Sequence, residues 1–214
     1  MESTLLHKLD SFFTRYKPLY FKRGETILRA GDPPLGFFYL KKGFVRVYSI
    51  AKNGEELTLI IFKPGDFFPL VWAINNASND YFVEAMTGCE IARAPREEFV
   101  SFVVNNPDVS YDLTKRTLVR LGGLMRRMEY LVFGNAGHKV ASILLICAER
   151  FGKKIGRNVI IKVPLRHQDI ATLVGMTRET VSIEMKRLER KGVCVHKGKF
   201  LVIKLSALKH ESQL

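Results

Sequence analysis

The side chains whose types and spacing could do chemistry in this chain lie between residues 165 and 188, and the chemistry is hydrogen bonding to a nucleic acid. From Thr177 onward, the apolar residues fall on one helical face at Val181, Met185 and Leu188. The exposed face of the same segment carries Arg178, Glu179, Ser182, Lys186 and Arg187. These are donors and acceptors suited to base edges and phosphates, so we interpret the segment as a recognition helix.

A second helix must position this one, and the sequence predicts it immediately upstream. Ile170, Ala171 and Val174 form its apolar face, and Gly175 ends it where the chain reverses through a positive-φ position. The small Ala171 lies where two helices would cross. The pattern is that of a helix-turn-helix. An alternative is a pair of ordinary amphipathic helices in an all-α core, with the charges on a solvated face.

A hairpin is predicted directly after the recognition helix. Two short apolar runs, residues 193–195 and 200–203, flank the turn His196-Lys197-Gly198-Lys199. A helix-turn-helix followed by a hairpin is a winged helix. Lys197 and Lys199 would then lie where a wing can reach the phosphate backbone.

The distribution of charge supports a polyanionic partner for this end of the chain. Residues 137–214 hold 16 Lys and Arg against 6 Asp and Glu, a net charge of +10, whereas residues 1–136 hold 18 against 15, a net charge of +3. The last third of the chain is therefore the part expected to bind nucleic acid.

Several other classes of protein find no support in the sequence. Cys89, Cys147 and Cys194 are widely separated, which predicts buried thiols rather than disulfides or a metal site. No catalytic signature such as HExxH, a P-loop or GxSxG is present, so we predict no catalytic residues. No apolar run approaches the roughly 18 residues of a membrane span, and the N-terminus lacks a secretion signal, so we expect a cytoplasmic protein without a membrane partner.

The first half of the chain is predicted to be mainly β-structure behind a short amphipathic helix. The helix is indicated by the apolar residues Leu5, Leu6, Leu9, Phe12 and Phe13. From about residue 19 to 99, short apolar runs alternate with turns rich in Gly, Pro, Asn and Asp, which indicates an antiparallel sandwich or barrel. Asn53-Gly54 is the strongest hairpin signal.

A long helix is predicted from about Pro107 to Phe133. Its apolar residues keep heptad spacing, which predicts a dimer seam of Thr114, Leu118, Leu121, Met125, Met128 and Val132. The alternative is a helix buried only against its own domain. Gly122-Gly123 weakens the helix by roughly 1 kcal/mol per glycine and predicts a bend or a close backbone approach.

Beyond the long helix, residues 135–137 are predicted to form a hinge. An apolar helix over 138–151, a basic loop over 152–157 and a short strand over 159–163 then lead into the helix-turn-helix.

This order of parts, with the segment Thr177-Arg178-Glu179-Thr180-Val181-Ser182, resembles the Crp/Fnr family of bacterial transcription regulators. The resemblance covers essentially the whole chain. In the C-terminal part it also includes Gln168-Asp169-Ile170-Ala171, Val174-Gly175 and Leu188. In the N-terminal part it includes the segments at residues 38–43, 64–67 and 106–108.

The resemblance implies an α+β fold in three parts. Residues 1–106 would form an antiparallel β-roll sensor domain (a double-stranded β-helix resembling a cyclic-nucleotide-binding domain) with its N-terminal helix. Residues 107–136 would form the dimerisation helix and hinge, and residues 137–214 a winged helix-turn-helix.

The function implied by the resemblance is sequence-specific binding of an inverted repeat of double-stranded DNA by a homodimer, under control of an effector sensed by the β-roll. RNA polymerase would be a partner if the protein is an activator. The residues expected to contact DNA are Gln168, Thr177, Arg178, Glu179, Thr180, Ser182, Ile183, Lys186, Arg187, Lys197 and Lys199. Many relatives carry arginine where Ile183 stands, so the half-site sequence does not transfer from them.

The sensor region departs from the members of the family that bind cyclic nucleotides. Leu70 stands where the ribose-binding acid is expected, and Asn79-Asp80 replaces the arginine-serine pair that clamps the cyclic phosphate. Residues 67–85 contain no Lys or Arg, and a buried phosphate without a cation costs several kcal/mol, so we expect that cyclic AMP is not the effector. The cysteine cluster of iron-sulfur members is also absent, and no cofactor is predicted.

The candidate effector pocket is apolar and aromatic. We predict that it is lined by Phe68, Leu70, Trp72, Tyr81, Phe82, Arg120 and Leu124. Such a region either accepts an apolar or aromatic ligand or is filled by its own side chains.

Two further hypotheses remain for the chain as a whole. In the first, an effector-binding module uses its basic C-terminal domain to bind RNA or an acidic partner without promoter specificity. The second is a metal enzyme on a cupin-like β-roll. It is disfavoured because no histidine occurs between Leu9 and Phe133, and no metal site is predicted.

Overall fold

The computed structural model describes residues 2–213, with the side chains from residue 8 onward. The chain divides into two compact units. The N-terminal unit comprises the chain up to residue 53 together with 58–118, and the C-terminal unit comprises 54–57 together with 119 onward. Each unit contains its own set of buried apolar side chains.

The N-terminal part of the chain is built from short strands with flanking helices, as predicted. Its elements are α1 (Glu2–Thr14), β1 (Pro18–Phe21), β2 (Thr26–Leu28), β3 (Phe37–Lys42), β4 (Val45–Ile50), β5 (Glu56–Phe62), β6 (Phe67–Phe68), α2 (Leu70–Asn75), β7 (Phe82–Ala85), β8 (Cys89–Ala94) and α3 (Arg96–Val104). The strands form two four-stranded sheets, ordered β1-β8-β3-β6 and β2-β7-β4-β5. Gly54, at φ +85°, lies in the turn between the neighbouring strands β4 and β5.

Strand β3 shows why this unit has two apolar layers. Phe37 and Tyr39 point into a cluster with the helices, where Phe13 stacks on Tyr39 at 4.8 Å between ring centroids. Phe38 and Leu40 point to the opposite cluster. Side chains alternate between the two faces of a strand, so a strand that is buried on both faces has apolar residues at consecutive positions in its sequence. Of the predicted α1 residues, Leu9, Phe12 and Phe13 are buried, and the side chains of Leu5 and Leu6 lie outside the described residues.

The long helix α4 (Pro107–Phe133) has the bounds predicted from the sequence. Within the described part of the chain, no backbone approaches Gly122-Gly123 closely. The helix is continuous through both glycines, and a Cβ atom added at either would meet nothing within 4 Å in the part of the chain that the structure describes. Glycine lowers the stability of a helix but keeps its backbone N–H, so it need not interrupt the hydrogen-bond ladder.

The C-terminal unit is a winged helix-turn-helix with more strands than predicted. After α4 come α5 (Ala136–Phe151), β9 (Gly152–Ile155), β10 (Asn158–Ile161), α6 (His167–Val174), α7 (Arg178–Arg190), β11 (Cys194–Lys197), β12 (Phe200–Ile203) and α8 (Leu205–Glu211). The wing strands belong to a four-stranded sheet ordered β11-β12-β10-β9.

The predicted basic loop over residues 152–157 is wrong in its first four residues, which form β9. All four are exposed and pair with β10 through the backbone, so no apolar alternation marks them as a strand. Gly152 is needed there, because a Cβ atom would come within 2.0 Å of the Ala148 carbonyl oxygen. Helix α5 also starts two residues earlier than predicted, since the Asn135 side chain caps it by accepting from the His138 N–H at 3.0 Å.

No helix in residues 2–213 combines the length and the apolarity that crossing a bilayer requires.

Candidate nucleic-acid interface

The turn between α6 and α7 forms as the sequence predicts. Gly175 has φ +62°, and the Met176 N–H donates to the Ala171 carbonyl, which closes the end of α6. Ala171 is completely buried where the two helices pack. Thr177 caps α7, because its Oγ1 accepts from the Thr180 N–H at 3.2 Å. The start of α7 is therefore held at a defined angle to α6.

The outer face of α7 carries most of the predicted DNA-contacting side chains. Val181, Met185 and Leu188 are buried beneath it. Three side chains at four-residue spacing, Arg178, Ser182 and Lys186, form a stripe along the helix; Arg178 and Lys186 are exposed and Ser182 is half-buried. The other predicted residues with exposed side chains are Gln168, Thr177, Glu179, Ile183, Lys197 and Lys199, and Thr180 is half-buried. The two wing lysines flank Gly198, which has φ +60°.

Arg187 differs from the expectation. Its Nε lies 2.7 Å from Glu184 and its Nη1 lies 2.7 Å from Glu211 of α8, which also pairs with Lys191 at 2.7 Å. Arg187 is nine residues after Arg178, two and a half turns, and therefore lies on the opposite side of α7. These ion pairs raise the pKa of Arg187 and lower the pKa of Glu211. Arg187 thus ties α8 to α7, and we omit it from the DNA-contacting set.

His167 is a neighbour of this surface that sequence reasoning missed. Its Nδ1 lies 2.7 Å from the Ser182 Oγ, and its ring lies 6.0 Å from the ring of His196 on the wing strand β11. The pKa of His167 is lowered, first by burial and then by electrostatic interaction with His196, Arg178 and Lys186. No local pattern marks a histidine at the first position of α6, because its partners lie 15 and 29 residues away.

The predicted dimer seam is exposed along α4. The apolar seam residues Leu118, Leu121, Met125, Met128 and Val132 are all more than half exposed, from 51% at Leu121 to 71% at Val132, and Thr114 is exposed as well. The alternative, in which this face is buried against its own domain, does not hold for these residues.

On the opposite side of α4, Arg127 packs inside the C-terminal unit. Arg127 is buried there and donates to the carbonyl of Leu173, at the end of α6. Burial lowers the pKa of Arg127. The packed face and the apolar exposed face of α4 are therefore distinct.

Three of the predicted effector-pocket residues, Phe68, Leu70 and Trp72, are divided between the two apolar clusters of the N-terminal unit. Phe68 is only 2% exposed and stacks on Phe38 at 5.4 Å and on Phe62 at 5.3 Å. Leu70 and Trp72 pack against the other apolar cluster. These side chains pack into the interior of the N-terminal unit. This favours the second interpretation, in which the predicted pocket region is filled by its own side chains.

Four further residues were predicted to line the pocket. Tyr81 is exposed, and Phe82 stacks on Tyr48 at 5.3 Å. Arg120 and Leu124 belong to the C-terminal unit.

The segment that would hold a cyclic phosphate is occupied by internal contacts. Asn79 is 8% exposed, and its amide donates to the Arg29 carbonyl at 2.7 Å. Asp80 accepts from the Ser78 hydroxyl at 2.6 Å. Arg46, on the strand paired with β7, brings a cation close to this segment, but its guanidinium binds Glu84 at 3.1 and 3.2 Å.

Comparison with known proteins agrees with this geometry. Residues 18–106 match the model of the cyclic nucleotide-binding domain, and residues 138–211 match the model of the Crp-like helix-turn-helix domain. The chain is 30% identical over 187 residues to the global nitrogen regulator of Nostoc sp., covering 86% of this chain and 84% of that protein.

Two solved structures share the fold over nearly the whole chain. A CooA mutant from Carboxydothermus hydrogenoformans is 26% identical with a TM-score of 0.77, covering 95% of this chain and 90% of that one. A CRP/FNR family transcriptional regulator from Thermus thermophilus is 26% identical with a TM-score of 0.71, covering 92% of this chain and 98% of that one.

Proposed function

Because this chain belongs to the Crp/Fnr family of DNA-binding transcription regulators, which are not enzymes, we propose that it binds an inverted-repeat operator as a homodimer. Each copy would place α7 in the major groove of one half-site and its wing against the neighbouring phosphates. RNA polymerase is a further partner if the bound protein activates transcription.

The observation that carries this proposal is the outer face of α7. Arg178 stands at the start of the helix, beside Glu179 and above Ser182 and Lys186, while the apolar face is buried. A guanidinium at this position can bind the O6 and N7 atoms of guanine with two hydrogen bonds, and Glu179 can accept from a cytosine amino group. Lys197 and Lys199 of the wing would contact phosphates, which adds affinity without sequence preference.

The homodimer is supported by the exposed apolar seam of α4. Exposure of this apolar face to water is unfavourable. Pairing with the same face of a second copy would bury its residues, Leu118, Leu121, Met125, Met128 and Val132. Such pairing is symmetric about a twofold axis, so the two α7 helices would meet DNA as an inverted repeat.

Selection of duplexes from a random pool by the full-length protein tests the proposal. We expect a consensus with two inverted half-sites whose centres are about 10 base pairs apart or a multiple of that. An RNA pool that competes equally well, or enrichment without any consensus, would favour the alternative of a basic domain without promoter specificity.

Binding to the selected duplex is expected to depend steeply on salt. The C-terminal third carries a net charge of +10, and each phosphate neutralised releases condensed counterions, so log affinity should fall by about 0.9 per contacted phosphate for each unit of log salt. Fluorescence anisotropy between low and physiological salt measures this slope. Lys199→Ala should reduce the slope by about one unit per wing while leaving the consensus unchanged. Affinity insensitive to salt would contradict the proposal.

We also propose that the effector, if one exists, is not cyclic AMP. The position of the phosphate clamp is taken by Asn79, which holds the Arg29 carbonyl, and by Asp80, and the neighbouring Arg46 is paired with Glu84. Calorimetric titration with cyclic AMP is expected to give no heat of binding in the micromolar range. Binding there would contradict the prediction.

A further inference from the structure

His167 connects three elements of the winged helix at the proposed DNA surface. It is the first residue of α6, its Nδ1 lies 2.7 Å from the Ser182 Oγ on α7, and its ring lies 6.0 Å from that of His196 on β11. Ser182 stands between Arg178 and Lys186 in the outer stripe of α7. The imidazole therefore contacts a hydroxyl that belongs to the recognition surface itself.

We propose that His167 is a positioning residue for DNA recognition, which holds the Ser182 hydroxyl and couples DNA binding to the uptake of a proton on the imidazole. This inference rests on the proposed function of α7. Neither residue needs to move for the coupling to operate, because it acts through the direction of a single hydrogen bond.

The hydrogen-bond inventory of the two groups explains the coupling. In the neutral tautomer that carries its proton on Nε2, the Nδ1 atom of His167 accepts a hydrogen bond from the Ser182 hydroxyl, and the serine oxygen then offers only lone pairs to the DNA. A protonated imidazole donates from both nitrogens, so the Ser182 oxygen accepts from Nδ1 and its proton is free to point outward. Phosphate oxygens, guanine O6 and N7, and thymine O4 are all acceptors. An outward hydroxyl proton suits these partners, so they favour protonated His167.

The charges around His167 give the direction of the pH dependence. His196 faces it from β11, and Glu189, Arg178 and Lys186 act on it from α7; Glu189 also lies 3.8 Å from the His196 Nε2. On α6 itself, Asp169 accepts from the Arg166 N–H. Burial and the neighbouring positive groups lower the pKa of His167, which favours the neutral ring in the free protein.

Bound DNA would act on the pKa of His167 in the opposite direction, because its phosphates are negatively charged. Negative charge near the imidazole favours its protonated form and raises its pKa in the complex. A group whose pKa is higher in the complex than in the free protein binds a proton on association. DNA affinity should therefore rise as the pH falls through the pKa of the bound form.

The experiment measures the Kd of the full-length protein for the consensus duplex chosen by selection at pH 7.5, at constant ionic strength between pH 5.5 and 8.0. Because one linked proton changes the Kd by at most about tenfold per pH unit, wild type should bind several-fold to about tenfold more tightly at the low end of this range than at the high end. His167→Gln, which keeps an amide to contact Ser182 but does not titrate, should lose most of this dependence. His167→Asn serves as a second variant, and circular dichroism verifies that each variant folds.

Ser182→Ala separates a positioning role from a simple charge effect. If His167 acts through the hydroxyl, Ser182→Ala should reduce the pH dependence, and the double variant should behave like His167→Gln alone. His196→Gln is the matched control, because it removes the neighbouring titratable ring without touching Ser182, and it should retain the pH dependence.

Several results would overturn the inference. One is that His167→Gln shows the same pH dependence of the Kd as wild type. Another is that Ser182→Ala keeps the full pH dependence, and a third is that His196→Gln alone loses it. If the wild-type protein enriches no consensus duplex at all, the proposed function itself fails, and the inference fails with it. An NMR titration of the His167 ring gives an independent readout, and its pKa should be higher in the complex than in the free protein.

Discussion

Leu121→Asp is expected to convert the homodimer into monomers that no longer bind the two half-sites together. Leu121 is near the middle of the exposed apolar seam of α4, and in a symmetric dimer two copies of the new carboxylate would face each other. Removing such a charge from water costs several kcal/mol per ion, and like charges add repulsion. A loss of about 4 kcal/mol would weaken dimerisation about a thousandfold. Analytical ultracentrifugation measures the dimer dissociation constant directly.

Val119→Asp is the matched control for this prediction. It makes the same kind of change at a residue that is 69% exposed, two positions away and about 200° around the same helix. The control should remain dimeric and should retain its affinity for the consensus duplex. An unchanged dimer in Leu121→Asp would contradict the proposed seam, and dissociation in Val119→Asp alone would place the interface on the other side of α4.

Arg178→Ala is expected to weaken binding to the consensus duplex and to relax the base preference at one position of each half-site. A guanidinium that binds guanine with two hydrogen bonds contributes about 1–3 kcal/mol of discrimination, and a dimer contains two such contacts. The affinity should therefore fall by roughly one to four orders of magnitude, depending on whether both half-sites contribute fully. Anisotropy titrations with the consensus and with single-base variants of each half-site measure both effects.

Arg190→Ala tests whether Arg178 acts through its position rather than its charge. Arg190 is an exposed arginine at the other end of the same helix. Its removal lowers the net charge equally, so it should weaken all duplexes slightly and to the same extent. If Arg178→Ala and Arg190→Ala lose the same amount of affinity and both keep the base preference, Arg178 does not contact a base directly.

Local patterns in the sequence were sufficient for the elements of the proposed interface. The apolar spacing of Val181, Met185 and Leu188 predicted the buried face of α7, and Gly175 and Thr177 predicted its turn and its cap. The bounds of α4 were also predictable, since Pro107 suits the first turn of a helix and the heptad spacing continues to Val132. In each case the determining interactions lie within a few residues of one another along the chain.

Contacts between distant residues decided what the sequence could not. Strand β9 is held by backbone pairing with β10, which leaves no trace in side-chain alternation. Arg187, predicted to contact DNA, pairs with Glu211 of α8, a partner 24 residues away. Phe68, expected at a ligand pocket, is enclosed by Phe38 and Phe62. Periodicity tells which face of an element is apolar, but it does not tell what covers that face.

The same reason explains why His167 was not foreseen. Its chemistry depends on a serine from α7 and a histidine from the wing, and these approach it only after three elements have packed together. The sequence by itself determined the helix-turn-helix and the charge that draws it to DNA. Only the tertiary structure decided which polar groups hold one another, because a hydrogen bond of 2.7 Å depends on the packing of whole helices and strands.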